Sequence, residues 1–122
     1  MIKLSVVIPT YNRLDSLADC LEALNHQEPV QGIWQVILVN DGGDCVGNLV
    51  NEYQEILNIR HVVQLNKGPA SARNLGVENA EGEIIAFLDD DCIPDKNWVS
   101  SILFHSKPDS IIGGKVTNQD RK

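Results

Sequence analysis

This sequence predicts an α/β fold: a mainly parallel sheet with helices on both faces. Two observations carry that expectation. Strand-length apolar runs alternate with stretches of helical periodicity, in the order β-α-β-α-β-α-β-α-β. Apolar runs also stop abruptly at polar residues, notably at Thr10, Asp41 and Asp89. Crossovers between parallel strands bring such ends to one carboxyl edge, where open α/β sheets bind their ligands. Thr10, Asp41, Arg73 and the triplet Asp89, Asp90 and Asp91 therefore become candidates for a single crevice.

Each element has its own signal. Leu4-Ser5-Val6-Val7-Ile8 is a β-branched run stopped by Pro9, a first buried strand followed by the loop Pro9-Thr10-Tyr11-Asn12. Leu14, Leu17, Leu21 and Leu24 recur at helical spacing, so a helix is expected over 13–26 with Asn12 as its N-cap. A second apolar strand covers 34–39 and ends in Asn40-Asp41-Gly42-Gly43-Asp44. Val46, Leu49, Val50, Tyr53, Ile56 and Leu57 mark a second amphipathic helix. A third strand over 59–65 is less apolar because of Arg60, His61 and Gln64. After the turn Asn66-Lys67-Gly68, Pro69 suits the first position of a third helix, and Gly82 suits its end.

The run over 84–88 is apolar throughout and ends in three consecutive aspartates. It reads as a strand buried on both faces. Unpaired charge cannot continue into a core, so the aspartates mark the point where the chain leaves it. Three adjacent carboxylates repel each other, and a hard divalent cation, Mn²⁺ or Mg²⁺, neutralises them best. The bland alternative is a solvated acidic turn. Pro94-Asp95 opens a fourth helix with Trp98, Val99, Ile102 and Leu103, and a fifth strand is expected over 110–116.

Composition narrows the function. The 122 residues suffice for one small domain, and 43% hydrophobic with 22% charged residues is the balance of an ordinary globular protein. A net charge of −7 argues against a nucleic-acid-binding surface. Cys20, Cys45 and Cys92 lack metal-finger spacing, and an odd count suits free thiols in a reducing cytoplasm. The sequence contains no membrane-length apolar run.

Four stretches together resemble family-two glycosyltransferases, the inverting enzymes of the GT-A fold, which is Rossmann-like. Ser5-Val6-Val7-Ile8-Pro9-Thr10-Tyr11-Asn12-Arg13 is similar to their opening strand and loop, and Val39-Asn40-Asp41-Gly42 to their second motif. Asn66-Lys67-Gly68-Pro69-Ala70-Ser71-Ala72-Arg73-Asn74-Leu75-Gly76 resembles their third, and Phe87-Leu88-Asp89-Asp90-Asp91 their DxD motif. The resemblance implies a nucleotide-diphosphate sugar as donor. It implies that Pro9, Thr10 and Tyr11 lie against the base, with Tyr11 stacking or packing locally, and that Asp41 hydrogen-bonds the base. A carboxylate only accepts hydrogen bonds, which favours a base presenting an N–H, such as uracil or thymine. Asp41 forming only an Asx-turn with Gly42 and Gly43 is the plainer reading. Arg73 matches the family's third-motif arginine and pairs with either the nucleotide or the aspartates. The resemblance implies that Asp89 contacts the ribose or the metal and that Asp91 holds the metal; Asp90 is expected to face away from the metal, because adjacent side chains diverge in extended backbone.

Other residues read more simply. Cys92 lies beside the metal candidates, but a thiolate suits Zn²⁺ better than Mg²⁺ or Mn²⁺. Gly68 and Gly76 serve backbone geometry and close packing. His26, His61 and His105 share no motif, and Asp95 and Asp109 read as a helix cap and a loop residue. None of these supplies the catalytic base that inverting transfer requires. GT-A domains are much longer than this chain, so it is expected to be the truncated, donor-binding half of one, inactive alone. The acceptor is then a glycan, a lipid-linked species or a protein, and membrane association through a further segment and self-association both stay open. A non-catalytic nucleotide-sugar-binding module is the alternative. A nucleotidyl or phosphoryl transferase is another, although the phosphate-loop pattern Gly-x-x-x-x-Gly-Lys-Ser/Thr is absent.

Overall fold

The computed structural model describes residues 1–112. Its elements are β1 (Ile2–Thr10), α1 (Leu14–Asn25), β2 (Ile33–Asn40), α2 (Gly47–Tyr53), β3 (Ile59–Val63), α3 (Pro69–Asn79), β4 (Ile84–Phe87), α4 (Trp98–His105) and β5 (Ser110–Ile112). The five strands form one parallel sheet in the order β3-β2-β1-β4-β5. This is the predicted class. The order reverses direction beside β1, whose neighbours are β2 and β4, and that switch point is where α/β sheets open a crevice.

Both faces are covered, unequally. On one, α1, α2 and α4 contribute Leu17, Leu21, Val50, Val99 and Ile102 to a core with Leu4, Val6, Ile8, Val36 and Leu38. On the other, α3 packs Ala72 and Leu75 against Val7, Ile37 and Val39. Alternate residues of β1 thus point into different cores, as the two-residue period of a strand requires. Helix α3 lies close to the sheet because Gly76 faces Val7, where a methyl group would collide with a Val7 methyl.

Several predicted boundaries shift. Arg13, not Asn12, holds the N-cap position of α1, and its side chain makes no capping hydrogen bond. Asn12 instead takes φ 55°, and its Oδ1 accepts the Asp44 backbone N–H at 2.6 Å, tying the β1 loop to the β2 loop. Strand β3 ends at Val63, before Leu65, where its partner β2 ends: Asn40 pairs with Val63 as the last register pair. Helix α3 ends at Asn79, and Gly82 does not cap it. Helix α4 begins at Trp98 rather than at Pro94-Asp95, and the Asp95 carbonyl, not its carboxylate, receives the Trp98 N–H at 3.0 Å. Leu88 lies just past β4, although its N–H still donates to the Val7 carbonyl at 3.0 Å. Strand β5 is observed over Ser110–Ile112, and the rest of the predicted fifth strand lies outside the described residues.

Gly82 has a different task. Its N–H donates to Ser5 Oγ at 2.8 Å, Ser5 Oγ donates to Gln35 Oε1 at 2.7 Å, and the Glu81 N–H donates to the same Gln35 oxygen at 2.9 Å. Ser5 and Gln35 are buried, so this chain of bonds satisfies polar atoms that burial would otherwise leave costly. It stitches the turn before β4 to the two central strands.

Candidate functional site

The carboxyl edge of the sheet opens into a crevice of about 640 Å³ whose lining includes Pro9, Thr10, Tyr11, Arg13, Asp41, Arg73 and all three aspartates. Asn66, Gly68, Pro69 and Ala72 complete it from the β3–α3 side. The candidate nucleotide and metal residues named from the sequence therefore meet in one place, although the outermost, Pro9 and Asp91, lie 82 residues apart. The parallel register explains this: Thr10 pairs with Asn40 across β1 and β2, and the Asp41 N–H donates to the Thr10 carbonyl at 2.9 Å.

Asp89, Asp91 and Cys92 form a group whose ligand atoms lie within 4.8 Å of one another. Asp91 is exposed, Asp89 half-buried and Cys92 fully buried. Two carboxylates, one of them open to water, fit a hard divalent cation that keeps part of its hydration shell. Asp89 and Asp91 would hold such an ion, while the thiol of Cys92 is a poor donor to it. Burial, then the nearby Cys92 and the aspartates, push the Cys20 thiol far up, so Cys20 stays protonated beneath the site.

Asp90 turns inward. It is buried, and its Oδ2 accepts the Thr10 hydroxyl at 2.8 Å while its Oδ1 lies 3.4 Å from Arg13 Nη1. Burial raises its carboxyl above the usual range, Thr10 and Arg13 oppose this, and Asp91 and Asp89 add to the rise. The Thr10 hydroxyl, expected against a base, is thus directed at Asp90.

Asp41 is more occupied than the sequence implied. Its Oδ1 accepts Gln64 Nε2 at 2.6 Å and the Lys67 N–H at 2.9 Å, and its Oδ2 accepts the Gly68 N–H at 3.0 Å. These bonds run across to the β3–α3 loop, where the plainer reading had placed an Asx-turn with Gly42 and Gly43. Gly42, at φ 91°, lets that loop approach: a Cβ there would lie 2.8 Å from both Asn66 N and Gln64 O. A carboxylate offers about four acceptor directions, so one remains on Oδ2. Burial would raise the Asp41 carboxyl, but Lys67, Gln64 and Gly68 together bring it below its ordinary value of 3.8. A depressed carboxylate contributes stability that is full above the ordinary value and is lost as pH falls through the folded-state one. The stability gap between the parent and Asp41→Asn, measured by urea unfolding, is therefore expected to be widest near neutrality and to close below pH 3.8.

Tyr11 is 44% exposed, and its ring edge lies over Gly43, where an added Cβ would sit 3.0 Å from Tyr11 Cδ1. Its outer side faces the crevice. Arg73 rises from the first turns of α3 and, among the described residues, makes no hydrogen bond or ion pair, so it does not neutralise the aspartates directly. Arg13 does: its Nη1 lies 3.4 Å from Asp90 and 3.5 Å from Asp91. Sequence reading overlooked Arg13. The available signal was a lone cation in the β1 loop, at the same edge as three carboxylates. The histidines stay apart from the crevice, His26 and His105 resting on carbonyls of their own helices.

The profile of glycosyl transferase family 2 matches residues 5–120. This chain belongs to that family. Over 103 residues the family-two domain is 38% identical to chondroitin synthase of Escherichia coli, covering 82% of this chain and 15% of that protein. It is 32% identical over 98 residues to glycosyltransferase AglE of Haloferax volcanii, covering 78% and 32%. The chain thus spans between 15% and 32% of the length of these two relatives. The crystal structure of S. aureus TarS 1-349 in complex with UDP-GlcNAc superimposes with a TM-score of 0.78 at 28% identity, over 84% of this chain and 30% of that one. The mannosyltransferase PcManGT from Pyrobaculum calidifontis, in complex with GDP-Man and Mn²⁺, shares the fold at TM-score 0.74 and 22% identity, over 83% and 31%. Among the described residues of the family-two domain, no helix is long and apolar enough to cross a membrane.

Proposed function

We propose that this domain binds the nucleoside diphosphate of a UDP-linked sugar, with Mn²⁺ or Mg²⁺, as the donor half of an inverting glycosyltransferase. The observation that carries the reading is the convergence of Asp41, Arg73 and the Asp89–Asp91 carboxylate pair on one crevice. The solved complexes of TarS with UDP and with UDP-GlcNAc support the choice of nucleotide.

The parts divide the work. The remaining acceptor direction on Asp41 suits a base with a single N–H, and Tyr11 offers a flat face beside it. Asp89 and Asp91 hold the cation; when bound, it shares the charge of the departing diphosphate. Arg73 supplies a second positive charge from α3. Deprotonation of the acceptor hydroxyl we assign to a carboxylate in a segment beyond the described residues.

Calorimetric titration of UDP tests this. Without cation, the diphosphate meets three carboxylates in a partly desolvated cleft and is repelled. Binding with Mn²⁺ is expected to be at least about tenfold tighter than with chelator, a difference near 1.4 kcal/mol. Asp91→Asn should abolish most of that dependence. Equal UDP affinity in Mn²⁺ and in chelator would sink the metal-bridged donor site.

A further inference from the structure

Arg13 stands where helix physics does not want it. It occupies the N-cap of a twelve-residue helix, makes no capping hydrogen bond, and brings positive charge to the positive end of the helix dipole. Its backbone is nevertheless fixed, because its carbonyl accepts the Leu17 N–H at 2.9 Å. What favours arginine here is the acidic strand end. A single nitrogen, Nη1, reaches both Asp90 Oδ1 at 3.4 Å and Asp91 Oδ2 at 3.5 Å.

These two partners differ. Asp90 is buried and already bonded by Thr10, so it is a fixed anchor. Asp91 is exposed and also belongs to the group with ligand atoms suited to a cation. One guanidinium therefore shares a carboxylate with the metal position while tethered to a carboxylate that does not.

We propose that Arg13 is a built-in counter-ion that competes with the divalent cation for Asp91. Before loading, it offsets the repulsion among the three aspartates. On loading, it keeps Asp90 and yields Asp91 to the incoming ion. It is a positioning residue, and the idea rests on the proposed cation site at Asp89 and Asp91. Its effect is to weaken metal binding in the absence of nucleotide, because the cation must both displace and approach a like charge.

The test is Mn²⁺ titration without nucleotide, read by electron paramagnetic resonance of the free ion, with thermal unfolding measured in parallel. Arg13→Gln is expected to bind Mn²⁺ about three- to tenfold tighter than the parent, with Arg13→Lys in between because it keeps the charge on a shorter side chain. Arg13→Gln should also lower the unfolding temperature in chelator and recover most of that loss in saturating Mn²⁺. A purely structural arginine would give the same loss in both conditions and an unchanged or weaker Mn²⁺ affinity, and that result would overturn the proposal. Should neither the parent nor Arg13→Gln bind Mn²⁺, alone or together with UDP, the donor-site reading falls and this one with it. A parent that binds while Arg13→Gln binds no tighter removes only the counter-ion role.

Discussion

Asp41→Asn is expected to unfold roughly 5–15 °C below the parent and to lose about ten- to hundredfold in UDP affinity. The two losses share a cause. The Asp41 carboxylate receives three donors from residues 64–68, and an amide of the same shape has only one oxygen to offer them. Either the Gly68 N–H or the Gln64 and Lys67 donors must then face an –NH₂ group. Each charge-assisted bond lost in this half-dry position costs about 1.5–3 kcal/mol. The loop that carries Asn66 and Gly68 into the crevice would loosen at the same time. Thermal unfolding and UDP titration on one sample decide the matter. Lost nucleotide affinity at an unchanged unfolding temperature would mean that the carboxylate serves the nucleotide alone.

The second large effect lies at the opposite edge of the sheet. Gly82→Ala is expected to destabilise the domain by roughly 2–4 kcal/mol, combining overpacking with two lost hydrogen bonds. A Cβ at this position would sit 2.5 Å from Ser5 N and 2.6 Å from Leu4 C. Both belong to the central strand, which has no room to retreat. The turn would have to lift, taking the Gly82 N–H from Ser5 and the Glu81 N–H from Gln35. Urea unfolding measures it, with Gly47→Ala as control: there an added Cβ meets only Cys45 Sγ, at 3.5 Å. Equal stability of the two variants would show that the turn is free to move.

What was legible in the sequence was whatever depends on short-range pattern. Val36, Ile37, Leu38 and Val39 are all buried because β2 has a helix layer on each side, and an unbroken apolar run records that. The polar residues that stop such runs could be assigned to one edge because parallel strands have a single carboxyl end. Contacts across long separations left no such trace. The partners of Asp41 lie 23 to 27 residues away, and its carboxylate looks alike on the page whether it meets a base or a backbone N–H. Arg13 finds Asp90 across 77 residues, and Gly82 finds Ser5 across the same distance. Gly82, thirteen residues after the Pro69 that opens a helical stretch, reads as a terminator until the neighbouring strand is known to press against it. Asn12 misled in a similar way: its type suits a cap, but its φ of 55° aims the side chain at the next loop.

The sheet order also bears on how the protein is made. Strand β1 lies at the centre, yet one of its two neighbours, β4, is translated long after it: Leu4 pairs with Ile84 and Val7 with Phe87. Ribosomes add about 5–20 residues per second, so the β4-facing side of β1 waits roughly 4–16 s for its partner. During that interval β1, β2 and β3 are all available, and they can assemble on the other side. An unpaired apolar strand edge is a template for the wrong partner, whether a neighbouring nascent chain or a slipped register. Slower synthesis between Ile59 and Ile84 would lengthen the exposure, and a chaperone that shields Leu4 to Ile8 would have its greatest effect in that window.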